Sequence, residues 1–197
     1  MEMSLAQFLV LTFITPFGTI AVAAHALAQR VDMFIHMPAM AMGMGAGVLA
    51  GQNMGAGRPE RAQRTAWLAV GLGSVFLLLV AIGIWFGAEG IVRIFTSQPD
   101  LVALAATFLR ISLVSMMLFG LAMMLPQVLN GVGDTLPPML VTLVAMWGLQ
   151  VPLAYLLPKA TGLGVLGVRW ALVSGTVLRA IAFSAYFLTG RWKRRNV

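Results

Sequence analysis

Apolar residues run along this 197-residue chain in stretches long enough to cross a bilayer, broken by short clusters of Gly, Pro and charge. A hydrocarbon core of about 30 Å needs about 20 apolar residues of helix. Met3 to Ile14 is too short to cross and predicts the tail of a helix whose start is missing, before the turn Thr15-Pro16-Phe17-Gly18. Thr19 to Met54 is long enough to cross with tilt. His25, Gln29, Arg30, Asp32 and His36 interrupt it, and Pro38 predicts a kink. Ala66 to Phe86 is a clean span bounded by Trp67 and Trp85 at belt-like positions. Gly87 to Asp100 reads as a polar connection with Ile91 to Phe95 in the interface. Leu101 to Leu129 is the next span, with Arg110 in its first third and Pro126 near its end. Breakers from Asn130 to Pro138 make a turn. Met139 to Leu157 and Val168 to Leu188 are the last spans, joined by a Gly-rich segment. The expected fold is all-α and integral to the membrane: one lobe over 1–197, with five complete spans and one partial.

Within the second stretch, Gly43, Gly47, Gly51 and Gly55 recur every four residues. In lipid such spacing lets helix backbones approach closely, because apolar burial alone cannot hold helices together there. The stretch runs into a Gly-Pro turn and a loop carrying Arg58, Arg61 and Arg64. Arg191, Lys193, Arg194 and Arg195 of the tail fall on the same side of an alternating topology, whereas the other side has Arg93 and Lys159, with Arg169 at its border. The positive-inside rule therefore places the basic loop and the C-terminus in the cytoplasm of a multi-pass protein of the cytoplasmic membrane.

Composition agrees: 60% of residues are hydrophobic, 10% are charged and mean hydropathy is +0.92. A soluble domain has about 25% charge. The net charge of +7 gathers at span ends beside anionic lipid, which implies no nucleic-acid partner. Cysteine is absent, removing disulfides, thiolate metal sites and cysteine nucleophiles. Carboxylates are sparse and no phosphate-cradling motif is present, so the sequence implies no enzyme, ATP-driven pumps included, and no cofactor. The N-terminus lacks the basic region and small-residue cleavage site of a signal peptide.

Two motifs carry a family resemblance. The first has paired Ala before His25, Gln29-Arg30-Val31, Pro38, Gly51-Gln52, Gly55-Ala56-Gly57 and Glu60-Arg61-Ala62; the second is Gly131, Gly133-Asp134-Thr135 with a following proline. At these positions the chain resembles the multidrug and toxic compound extrusion transporters, twelve-helix antiporters built of two six-helix lobes. The match aligns with the carboxy-terminal lobe, from within the seventh helix to the end of the twelfth. The resemblance implies efflux of organic cations and drugs in exchange for sodium or protons, with an amino-terminal lobe or partner chain supplying the other wall of a cavity.

Candidate site residues follow. An intramembrane ionisable group is costly unless paired or facing water, which singles out Arg30 and Asp32; at i, i+2 they do not face each other on a regular helix, so each needs its own partner. Asp32 is the candidate for holding a proton or a cation, and interfacial anchoring is the blander reading. Gln127, beside Pro126, is a candidate for the cavity wall because a buried amide must find a partner. Glu2 lies near where sodium-coupled relatives carry an acid. Those relatives place a second acid at the position matching Phe119, so a sodium site of that kind is not expected here. Met116, Met117, Met123 and Met124 would suit varied apolar substrates or simply pack. His25 and His36 share a helix face three turns apart, too far for one metal ion, and no metal ligand set is expected. Asn130 and Asp134 read as turn groups. Two other readings stay open: a truncated or non-transporting module that needs a partner lobe, and a flippase of lipid-linked saccharides of similar architecture.

Overall fold

The fold is described over residues 2–194 from a computed structural model. It is a bundle of helices: α1 (Glu2–Ile14), α2 (Thr19–Gly55), α3 (Pro59–Arg93), α4 (Pro99–Gly131), α5 (Leu136–Ala160) and α6 (Val165–Leu188). The last five are long and apolar enough to cross a membrane. A 3-10 turn at Thr15–Phe17 joins α1 to α2, and another at Arg191–Arg194 follows α6. Helix α2 packs on α3 and α4, α4 on α6, and α5 on both α6 and α1.

The interior is built largely of small side chains. Ala24, Ala28, Ala81, Ala105 and Ala106 are buried where α2, α3 and α4 meet at one end, and Ala46, Ala50, Ala62 and Ala66 at the other. Large apolar residues such as Leu68, Leu72, Leu79 and Phe86 of α3 point outward instead. That inversion is stable only where the solvent is itself apolar, so close backbone approach rather than apolar burial holds these helices.

Three of the four stripe glycines do this directly. Gly43 lies against the Gln127 side chain, Gly47 against the Gln127 carbonyl and Gly51 against the Gly131 carbonyl of α4. Gly131 returns the contact onto the backbone of Gly47. Gly55 does not belong to the contact, for nothing lies within 4 Å of where its Cβ would stand. It is the last residue of α2, beyond the end of α4, and opens the turn that Gly57 completes at φ +69°.

Helix bounds differ from the apolar runs at several places. The span expected over 66–86 is the middle of a helix from Pro59 to Arg93, because backbone hydrogen bonding continues into the interface after apolar side chains stop. Pro38 sits inside α2 without ending it. Helices α4 and α5 each contain a π-helical segment, Gly120–Met124 and Val144–Gln150, placed just before Pro126 and Pro152. A proline ring clashes with the carbonyl four residues back and supplies no donor, and a widened turn relieves both problems.

At the tail, Trp192 is fully buried, stacks on Phe187 with ring centroids 4.7 Å apart, and donates from Nε1 to the Phe187 carbonyl at 3.0 Å. Lys193 Nζ meets Glu60 Oε1 at 2.8 Å, but the Glu60 side chain is 77% exposed. Exposed pairs contribute little. Lys193→Ala is therefore expected to change the unfolding free energy by less than about 1 kcal/mol, read by denaturant titration in detergent. A larger loss would show that this pair, not Trp192, fastens the tail.

Candidate functional site

Polar residues of α1, α2, α4, α5 and α6 line a set of adjoining cavities. A cleft of about 550 Å³ is lined by Gln7, Gln29, Arg30, Asp32, His36, Ser112, Ser115, Arg169 and Thr176 among others. Its fixed point is an ion pair: Arg169 of α6 donates to Asp32 Oδ2 of α2 at 2.7 Å. Side-chain exposure is 5% for Arg169 and 16% for Asp32, so the pair is largely withdrawn from solvent. Arg169 also donates to Ser112 Oγ of α4 at 2.9 Å, and that hydroxyl lies 3.3 Å from Asp32 Oδ2. Three helices thus meet at one carboxylate oxygen. The other oxygen, Asp32 Oδ1, is buried without a hydrogen-bond partner, as is Arg169 Nε. Phe108 caps the guanidinium at 5.6 Å from its ring centroid.

Arg169 is the residue the sequence does not single out as a site residue, for it counts there only as a charge at a membrane border. It is 4% exposed and packed inside the bundle, near the start of α6. A signal was present: of the six acidic residues, Asp32 alone lies deep in an apolar span, and Arg169 lies inside another. Arg30 lines the same cleft as Asp32 despite the i, i+2 spacing, because the cleft wraps around α2 from Gln29 to His36. Arg110 of α4 pairs with Glu89 of α3 at 3.3 Å.

Gln127 lines a separate cavity of about 340 Å³ with Asn130, Thr135, Thr142 and Arg179. Of the four methionines, Met123 lines that cavity, whereas Met116 and Met124 are fully buried and Met117 is 58% exposed. A smaller cavity of about 160 Å³, lined by Gln7, Gln29, Gln150 and Arg179, adjoins both through shared residues. His36 stacks on Phe119 with ring centroids 3.8 Å apart, and His25 is buried on its own. Among the described residues no group of three or more His, Cys, Asp or Glu could hold a metal ion. Asp134 is buried and accepts a hydrogen bond from the Tyr186 hydroxyl, which ties the α4–α5 turn to α6. The side chain of Glu2 lies outside the described residues.

A model of the MatE family matches residues 1–156. The chain is 30% identical over 185 residues to the probable multidrug resistance protein NorM of Thermotoga maritima, covering 91% of this chain and 39% of that protein. It is 27% identical over 198 residues to the probable multidrug resistance protein YoeA of Bacillus subtilis, covering 98% and 42%. It therefore spans less than half the length of these relatives. Its fold is similar to that of a MOP superfamily transporter from Pyrococcus furiosus, with a TM-score of 0.88 at 21% identity over 96% of this chain and 42% of that one.

Proposed function

The chain belongs to the MatE family, and from that premise we propose that it forms one wall of the cavity of a secondary antiporter exporting organic cations and drugs in exchange for sodium or protons. The carrying observation is the cleft with its ion pair at Asp32. The relatives' names, multidrug resistance proteins, support the substrate class. The facing wall would come from an amino-terminal lobe or a partner chain in the same cytoplasmic membrane, with the basic loop and C-terminus on the cytoplasmic side.

The chemistry is competition for one carboxylate. Arg169 and Ser112 hold Asp32 Oδ2, and Oδ1 has no partner. A coupling ion or the ammonium of a substrate satisfies Oδ1 and weakens the hold of Arg169. Because Arg169 stands on α6 and Asp32 on α2, the occupant of the carboxylate biases how the two helices sit. A ligand shifts a conformational equilibrium only by such differential contact. Cation and ion exclude each other there, so their movements are coupled.

The test is efflux of ethidium from proteoliposomes holding this chain with the amino-terminal lobe of a relative, driven by a sodium or proton gradient. Asp32→Asn is expected to lower gradient-driven efflux about tenfold or more per folded protein, a typical size for losing a charge-assisted contact, and Asp32→Glu to restore part of it. If neither gradient drives efflux in the wild type, the proposal fails.

A further inference from the structure

Arg179 stands well inside α6, about 21 Å from the helix start and about 13 Å from its end by the rise per residue. Its nearest polar contact is Thr176 Oγ1, at 3.4 Å, and its Nε is buried without a partner. No carboxylate lies within ion-pair distance of it among the described residues, unlike Arg169, Arg110 and Lys193. A cation held in a membrane interior without a counter-charge is costly, and such groups are found facing a cavity that supplies one. Arg179 faces two. It is the sole charged residue lining either the cavity of about 160 Å³ or that of about 340 Å³. The remaining polar lining is amides and hydroxyls: Gln7, Gln29 and Gln150 in the first, Gln127, Asn130, Thr135 and Thr142 in the second. All of these can donate hydrogen bonds, and none contributes negative charge.

We propose that Arg179 is an anion subsite, which takes a carboxylate of the transported molecule. This rests on the reading of the chain as a cavity wall and deepens it: favoured substrates carry a carboxylate as well as the cationic centre that competes at Asp32. The smaller cavity adjoins the Asp32 cleft through Gln7, Gln29 and Leu172, so one wall presents both poles. A planar guanidinium holds a carboxylate through two parallel hydrogen bonds, and amide N–H groups beside it complete the shell.

The test is a matched pair of fluorescent dyes, rhodamine 110, which has a free carboxylate, and rhodamine 123, its methyl ester. Binding is measured on the purified full chain in phosphatidylcholine nanodiscs, with no gradient. Failure of coupled efflux and failure of the anion subsite are thereby separate results. Wild type is expected to bind the acid roughly tenfold or more tightly than the ester, the scale of one charge-assisted contact. Arg179→Met removes that preference and leaves ester binding within about twofold. Arg179→Lys keeps a reduced preference, and decides the matter with the wild type if the Met variant does not fold. Equal affinity of the wild type for acid and ester, absence of binding of both, or an Arg179→Met variant that still prefers the acid overturns the proposal. Displacement of the acid by phosphatidylglycerol added to the nanodiscs also overturns it, by assigning Arg179 to a lipid headgroup.

Discussion

Arg169→Met is expected to destabilise the folded lobe by about 3–5 kcal/mol, the scale on which breaking one side of a buried ion pair leaves the other charge uncompensated. The loss follows from where Asp32 sits. Its Oδ1 already lacks a partner, and removal of the guanidinium leaves Oδ2 only the Ser112 hydroxyl, which also lies 3.1 Å from the Phe108 carbonyl. A single hydroxyl proton cannot serve both. The double variant Asp32→Leu with Arg169→Met removes both charges and should recover to within about 2 kcal/mol of wild type, since well-packed apolar replacements of buried pairs are often neutral. Unfolding titrations in mixed micelles of the wild type, the Asp32→Leu and Arg169→Met single variants and the double variant give the coupling energy directly. A single variant that loses less than about 1 kcal/mol would mean that water reaches the pair and that it is a surface contact in effect. The double variant also separates architecture from transport. It should fold and yet show no gradient-driven efflux, because the carboxylate is the group for which ion and substrate compete.

That pair also shows where reading the chain residue by residue stops. The existence of the spans follows from the length of apolar runs, which depends only on bilayer thickness and helix rise. Their bounds do not, as Glu89 shows: it ends the apolar run of α3 but lies inside the helix, since a helix continues wherever its backbone bonds are satisfied. The π-helical segments before Pro126 and Pro152 are marked by the prolines, but whether a helix answers a proline by kinking, ending or widening depends on what packs beside it. At Pro38 the helix neither ends nor widens, and α2 runs on to Gly55. The site was half legible. Asp32 stands out because one acid in a long apolar stretch is conspicuous, whereas Arg169 sits near a span end, where positive charge is ordinary. Only the fold brings together residues 137 positions apart. Arg179 is one more cation in an apolar span, and its lack of a carboxylate becomes meaningful only when the residues around it are known.

Gly47→Leu is the second large effect, expected to cost about 3 kcal/mol or more through overpacking and to lower the yield of folded chain from the membrane. An added Cβ at Gly47 would stand 2.6 Å from the Gln127 carbonyl oxygen and 3.2 Å from its carbon, so the obstacle is backbone, not a side chain that can rotate away. Helices α2 and α4 would have to separate. The separation is shared by Gly43 and Gly51, whose contacts with Gln127 and Gly131 lie one turn to either side, so the whole crossing is lost together rather than one contact alone. In water, apolar burial around the crossing would resist that opening; in lipid the acyl chains fill the gap at little cost, and close packing is the main force opposing it. Gly55→Leu is the matched control. The same substitution at the same spacing meets nothing within 4 Å and should leave stability within about 1 kcal/mol of wild type, allowing for helix propensity at an end residue. Both variants can be compared by thermal denaturation in one detergent. Equal effects at the two positions would show that the stripe acts through helix propensity or lipid contact. A large loss at Gly47 beside a small one at Gly55 shows that the backbone crossing with α4 holds the wall on which Asp32 and Gln127 stand. The crossing also bears on function, for Gln127 reaches its cavity from the residue whose carbonyl Gly47 touches. A variant that opens the crossing should therefore disturb that cavity before it unfolds the lobe.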